Sequence, residues 1–151
     1  MTRSSLLLLF ACLLGIPLGV GAFTFVYAKG FSYLSTDPRA CVNCHIMNEQ
    51  YSAWLKSGHR HVATCVECHL PHAGVAKWAA KADHGFRHSA AFTLQNFKEP
   101  IEITPRDRTI VRENCARCHA AFIHAVTGAA VRGEPDCLHC HGRAGHSAAG
   151  G

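Results

Sequence analysis

The sequence predicts a mainly α-helical protein with extensive irregular loops, in which one N-terminal transmembrane helix precedes a single small domain. Three observations carry this. Residues 5–28 run for 24 positions without a charged side chain. Beyond them, Leu, Ile and Val are sparse for a chain of 151 residues. Eight of the nine cysteines fall into four copies of one five-residue unit, Cys-x-x-Cys-His.

The apolar run, SLLLLFACLLGIPLGVGAFTFVYA, is long enough for a helix to cross a hydrocarbon layer of about 30 Å. The apolar region of a cleaved signal peptide is shorter, about 7–15 residues, so residues 1–29 read as an uncleaved anchor. Arg3 precedes the run, and the positive-inside rule places it in the cytoplasm with everything after Lys29 on the opposite face. Gly15, Gly19 and Gly21 are ordinary in a membrane helix, Pro17 adds at most a kink, and Cys12 reads as a small apolar residue.

Residues 30–151 form the second domain. Phe31 to Pro38 is a connector, with Asp37 and Pro38 marking a turn. Gly74 to Phe97 reads as a helix, with Val75, Trp78, Ala79, Ala82 and Phe86 on one stripe and Lys77, Lys81, His84 and His88 on another. Lys98 to Ile103 is expected to be extended. Thr104 followed by Pro105 has the form of an N-cap and first helical position, opening a helix that runs into Cys115. The tail from Gly142, rich in Gly and Ala, is expected to fray after His146. So few large apolar residues could stabilise such a domain only marginally, and something else must fill its centre.

The repeated unit supplies it. Two thiols three positions apart reach the two vinyl groups of one porphyrin, and the adjacent His turns back to the iron, which is the pattern of c-type haem attachment. The units are Cys41, Cys44 and His45; Cys65, Cys68 and His69; Cys115, Cys118 and His119; and Cys137, Cys140 and His141. Four repeats each ending in His, in an exported chain, argue against zinc ribbons, disulfides and a thioredoxin-like pair. Four covalently bound haems c are expected, arranged as two pairs, since the units start 24, 50 and 22 residues apart in turn. The fold should depend on them.

Each iron also takes a second axial ligand, which strongly influences its potential. Eight His lie outside the units. Among them, His59 and His146 are the leading candidates, with His61, His72, His84, His88, His124 and His139 in reserve. In the first unit Met47 follows His45 by two positions; spacing alone favours a Met47 that only packs on the porphyrin, with His45 on the iron.

One anchor, four such units, C-V-N-C-H-I-M first and a Gly-His pair after the last together resemble the NapC/NirT/NrfH family of membrane-bound multihaem quinol dehydrogenases. The run STDPRACVNCHIMNEQYSAW is most similar to the small subunits of cytochrome c nitrite reductases within it. The resemblance implies that Met47 replaces His45 as axial ligand of the first haem. It makes His69, His119 and His141 proximal ligands and His59 and His146 distal ones, and leaves the second haem without an internal sixth ligand. It also implies oxidation of menaquinol from the membrane quinol pool and transfer of electrons to a multihaem catalytic subunit, which reduces nitrite to ammonium, in a hetero-oligomer at the periplasmic face of the inner membrane.

A quinol site needs a proton acceptor near the first haem. Asp83 is the leading candidate, with Lys77 or Lys81 as polar partner and His84 and His88 as competitors. The formal charge of +5 comes from scattered basic residues with no stripe, which argues against nucleic acid as a partner. The alternative reading is a tetrahaem electron carrier, soluble or anchored, without a quinol site.

Overall fold

The computed structural model describes residues 2–127 and 136–146 and divides the chain into two compact units, Met1–Ser35 and Thr36–Gly151. In the first unit, α1 (Arg3–Tyr27) is exposed along its whole length and is long and apolar enough to cross a membrane. Thr2 caps it, its hydroxyl accepting from the Ser5 amide at 3.2 Å. The chain then turns through Lys29, in the left-handed region with φ 53°, into a 3-10 turn over Gly30–Leu34. This turn stays with the helix because Phe31 packs edge-on against Phe25, ring centres 4.9 Å apart. A Cβ at position 30 would run into the Phe25 ring, which would have to swing aside. This turn therefore belongs to the first unit.

The second unit contains α2 (Asn48–Leu55), α3 (Cys65–His69), α4 (Gly74–Leu94), α5 (Pro105–Cys118), α6 (Ala120–Thr127) and α7 (Cys137–Cys140). No strand occurs among the described residues. As the Thr104–Pro105 pair predicts, Thr104 caps α5, its hydroxyl accepting from the Asp107 amide at 3.2 Å. The α4 helix stops at Leu94, short of the expected Phe97, because Gln95 adopts the left-handed conformation that ends a helix. Residues 98–103 are irregular and include a cis Glu99–Pro100 bond. The tail beyond His146 lies outside the described residues.

Among the described residues, only Leu70, Ala80 and Ile110 are buried apolar side chains. A large buried apolar side chain contributes roughly 1.5–3 kcal/mol. So few cannot offset an ordering cost of about 1–2 kcal/mol per residue. The packing instead follows the cysteine units. The Pro38–Asn43 turn lies on α2 and α3, α3 on α5, and α5 on α7.

α4 joins α5 through charged side chains. Asp83 pairs with Arg87 one turn on at 2.8 Å and with Arg106 of α5 at 3.1 Å. Asp107 of α5 accepts from His84 at 2.9 Å and from Arg87 at 3.3 Å. These side chains are partly buried except for Arg106, so the cluster is screened less than a surface pair.

Candidate multihaem site

The last three cysteine units share one local geometry, with both cysteines on a short helical segment so that both thiols project from one turn. The second is α3 itself, the third ends α5 and the fourth is α7. In the last two, the His amide closes the turn: His119 donates to the Cys115 carbonyl at 2.9 Å and His141 to that of Cys137 at 2.8 Å. The second unit is further held by Glu67, inside the motif, whose carboxylate accepts from the Thr64 amide at 2.6 Å.

The first unit differs. Cys44 is extended, with φ −98° and ψ 118°, and breaks the turn between Cys41 and His45. A new 3-10 turn follows, His45–Met47, in which the Met47 amide donates to the Cys44 carbonyl at 3.0 Å. His45 instead lines a cavity of about 330 Å³ with Glu49 and Glu99.

The imidazoles form two pairs. His69 faces His146 with ring centres 6.1 Å apart and planes 7° from parallel. His59 faces His119 at the same 6.1 Å, with planes 74° apart. Two imidazole nitrogens each about 2.0–2.1 Å from one shared metal ion place the ring centres about 6 Å apart, so both pairs have the spacing of axial ligands on a single iron. The residues present therefore fit haem iron. Burial, helped by the charges of His146 and His84, lowers the His69 pKa to about 4, which keeps it neutral, the form that binds metal. The pKa of His146 is also lowered by burial. His59 Nδ1 lies 3.1 Å from the Ala144 carbonyl, which can only accept, so the N–H is on Nδ1 and Nε2 is left for a metal.

Across from His69 of the second unit, which the resemblance left without an internal sixth ligand, stands His146. Among the described residues it is His141 of the fourth unit, and His45 of the first, that have no facing imidazole. His84 and His88 stack on each other at 5.7 Å, and His72 is engaged by Arg117 at 2.7 Å.

The four units also neighbour one another in chain order. The Pro38–Asn43 turn, which carries Cys41, packs on α3 of the second unit, α3 on α5, which ends in the third, and α5 on α7 of the fourth. Among the described residues, which include all nine cysteines, no disulfide competes for the thiols.

Of the residues assigned to a quinol site, Lys81 is buried, lies over the Trp78 ring at 5.3 Å and sits close enough to Cys41 for their charges to interact. Burial, then the charge of Lys77, lowers its pKa. Asp83 is on another side of α4, because two positions turn a helix by about 200°. Its carboxylate is taken up by Arg87 and Arg106, so the structure does not bring it together with Lys77 and Lys81. Sequence reasoning missed Asn114 and Asp107. Asn114 directly precedes Cys115 and is 8% exposed, and no local pattern marks it.

A model of the NapC/NirT cytochrome c family, N-terminal region, matches residues 1–150. The chain belongs to this family. It is 42% identical over 123 residues to the cytochrome c-type protein NrfH of Wolinella succinogenes, covering 80% of this chain and 70% of that one. It is 35% identical over 133 residues to the cytochrome c nitrite reductase subunit NrfH of Nitratidesulfovibrio vulgaris, covering 87% and 80%. Its fold is similar to a chain in the crystal structure of the cytochrome c nitrite reductase NrfHA complex bound to the inhibitor HQNO, with a TM-score of 0.62, 30% identity and 84% of both chains covered. Membership of a cytochrome c family accounts for the cysteine units as sites of covalent haem c attachment.

Proposed function

We propose that this chain is a membrane-anchored tetrahaem cytochrome that oxidises menaquinol and passes the electrons to the multihaem catalytic subunit of a periplasmic nitrite reductase. The observation that carries this reading is the order of the four units. The segments that bear them pack on one another in turn, from the first, which follows the anchor in sequence, to the last, near the C-terminus. Haem c, when bound, supplies at each unit a one-electron carrier whose potential follows its axial ligands.

The chain's own residues divide the work. α1 holds the protein in the inner membrane with Arg3 on the cytoplasmic side, so that residues after Lys29 are periplasmic. Met47, at the end of the turn that Cys44 opens, would hold the iron of the first unit in place of His45, and a thioether there would raise the potential relative to bis-His ligation. His69 with His146, and His59 with His119, would hold the iron of the second and third. His141 would hold that of the fourth, whose other ligand would come from the catalytic subunit and make it the exit.

Oxidation of quinol yields two protons with the two electrons, so the first unit needs polar groups beside it. Lys81 orients the quinol oxygen next to Cys41, with Lys77 one turn away on the same face. Asp83, on another side of α4 between Arg87 and Arg106, is the candidate acceptor of the proton but not a direct neighbour of Lys81.

The test is anaerobic stopped-flow of the detergent-solubilised holoprotein with a reduced menaquinol analogue, following the haem α-band, for the wild type, Lys81→Met and Asp83→Asn. Rapid reduction of the wild type that is slowed at least tenfold in either variant supports a quinol site on α4. Failure of quinol to reduce the wild type, with dithionite still reducing all haems, would make the chain a carrier fed by another dehydrogenase.

A further inference from the structure

We propose that Asn114 is a positioning residue that sets the separation of the second and third haem units. The inference rests on the haem reading above. Asn114 is 8% exposed, and its amide nitrogen donates to two carbonyls on another segment, those of Cys68 and Leu70, each at 2.9 Å. These two carbonyls bracket His69, the ligand of the second unit. Asn114 itself precedes Cys115, the first attachment point of the third. Both protons of the amide are therefore spent on a single task, holding one ligand-bearing turn against the helix that carries the next. An asparagine side chain is short, with few freely rotating bonds, so a doubly bonded amide fixes that separation far more tightly than apolar contact would.

A second tie crosses the same pair on its other side. His59, which faces His119 of the third unit, donates from Nδ1 to the carbonyl of Ala144 at 3.1 Å. Ala144 lies two residues before His146, which faces His69 of the second. Proximal ligand is thus tied to proximal helix through Asn114, and distal ligand to distal loop through His59. The two units cannot move independently without breaking one of these bonds, of which that from Asn114 to the Leu70 carbonyl is buried. For electron transfer this matters because the rate between two carriers falls steeply with distance, and because orienting partners behind a metal ligand tune the metal they support.

The experiment uses the full-length holoprotein in detergent, as wild type, Asn114→Asp and Asn114→Gln. Asp has the same shape but offers only acceptors to the two carbonyls, whereas Gln keeps the donor. Haem is counted by pyridine haemochrome, and the low-spin ferric signals are followed by EPR during a redox titration. Asn114→Asp is expected to keep four haems, to shift the g-values of the haem ligated by His69 and His146, and to lower its midpoint potential. Asn114→Gln is expected to return both towards the wild type. Unchanged g-values and potentials in Asn114→Asp would overturn the inference. So would equal loss of haem from both variants, which would assign Asn114 to assembly alone. Fewer than four haems in the wild type would overturn the haem reading itself, an outcome distinct from either.

Discussion

Replacing Asp107 by Asn should destabilise the cysteine-unit domain by on the order of 2 kcal/mol at neutral pH. One carboxylate here both caps α5 and ties α4 to it, accepting from the Thr104 hydroxyl at 2.7 Å, from His84 at 2.9 Å and from Arg87 at 3.3 Å. Burial by itself would raise its pKa. The hydrogen bonds from Thr104 and His84, with the charge of His84 and the hydrogen bond from Arg87, outweigh burial and bring it down to about 2, from 3.8. A depression approaching two pH units, at about 1.4 kcal/mol each, gives the figure above. With the side chain only 13% exposed, solvent screening takes little from it. Because the folded pKa is the lower one, this stability is fully present above the unfolded value and is lost as pH falls through about 2. Thermal unfolding of the holoprotein, followed by far-ultraviolet circular dichroism, should show the Asp107→Asn midpoint roughly 5–10 °C below wild type at pH 7. The gap should close on acidification from about pH 4 towards pH 2. Equal midpoints at pH 7, or a gap that widens in acid, would refute the argument that this carboxylate is the latch between α4 and α5.

The two imidazole pairs predict different ferric EPR spectra. Near-parallel planes at His69 and His146 should give a rhombic low-spin signal, and near-perpendicular planes at His59 and His119 a highly anisotropic one with a large maximum g-value. His146→Ala should remove only the first and His59→Ala only the second, each replaced by a high-spin signal; loss of the other signal in either variant would show that the pairs are misassigned. Arg108→Ala breaks a 3.0 Å pair with Asp136 in which both side chains are more than 40% exposed. It should leave the thermal midpoint nearly unchanged. Trp54→Phe removes a 3.0 Å hydrogen bond to the Ala63 carbonyl and should cost about 1 kcal/mol, read as a fall in the same midpoint.

Much of this protein is written in short stretches of sequence. An uncharged run of 24 residues specifies α1, Thr104 and Pro105 start α5, and each cysteine unit carries its chemistry within five positions. In each case the cause is local, because helix caps, apolar runs and haem attachment depend on neighbours a turn apart. The small number of buried apolar side chains follows likewise from composition.

What only the tertiary structure decided is which distant residues meet. His59 reaches His119 across 60 positions and His69 reaches His146 across 77, separations for which local periodicity has no signal. The sequence singled out His59 and His146 among eight imidazoles outside the units, but only packing shows that His59 stands across from the third unit and His146 across from the second. The same holds for Asp83, whose place on α4 was legible but whose engagement by Arg106 of α5 was not, and for Asn114, an ordinary polar residue until two carbonyls 44 and 46 positions away arrive beside it. Attachment chemistry is local and therefore legible in the sequence, whereas axial pairing and the bonds that hold it come from the way the segments pack in three dimensions.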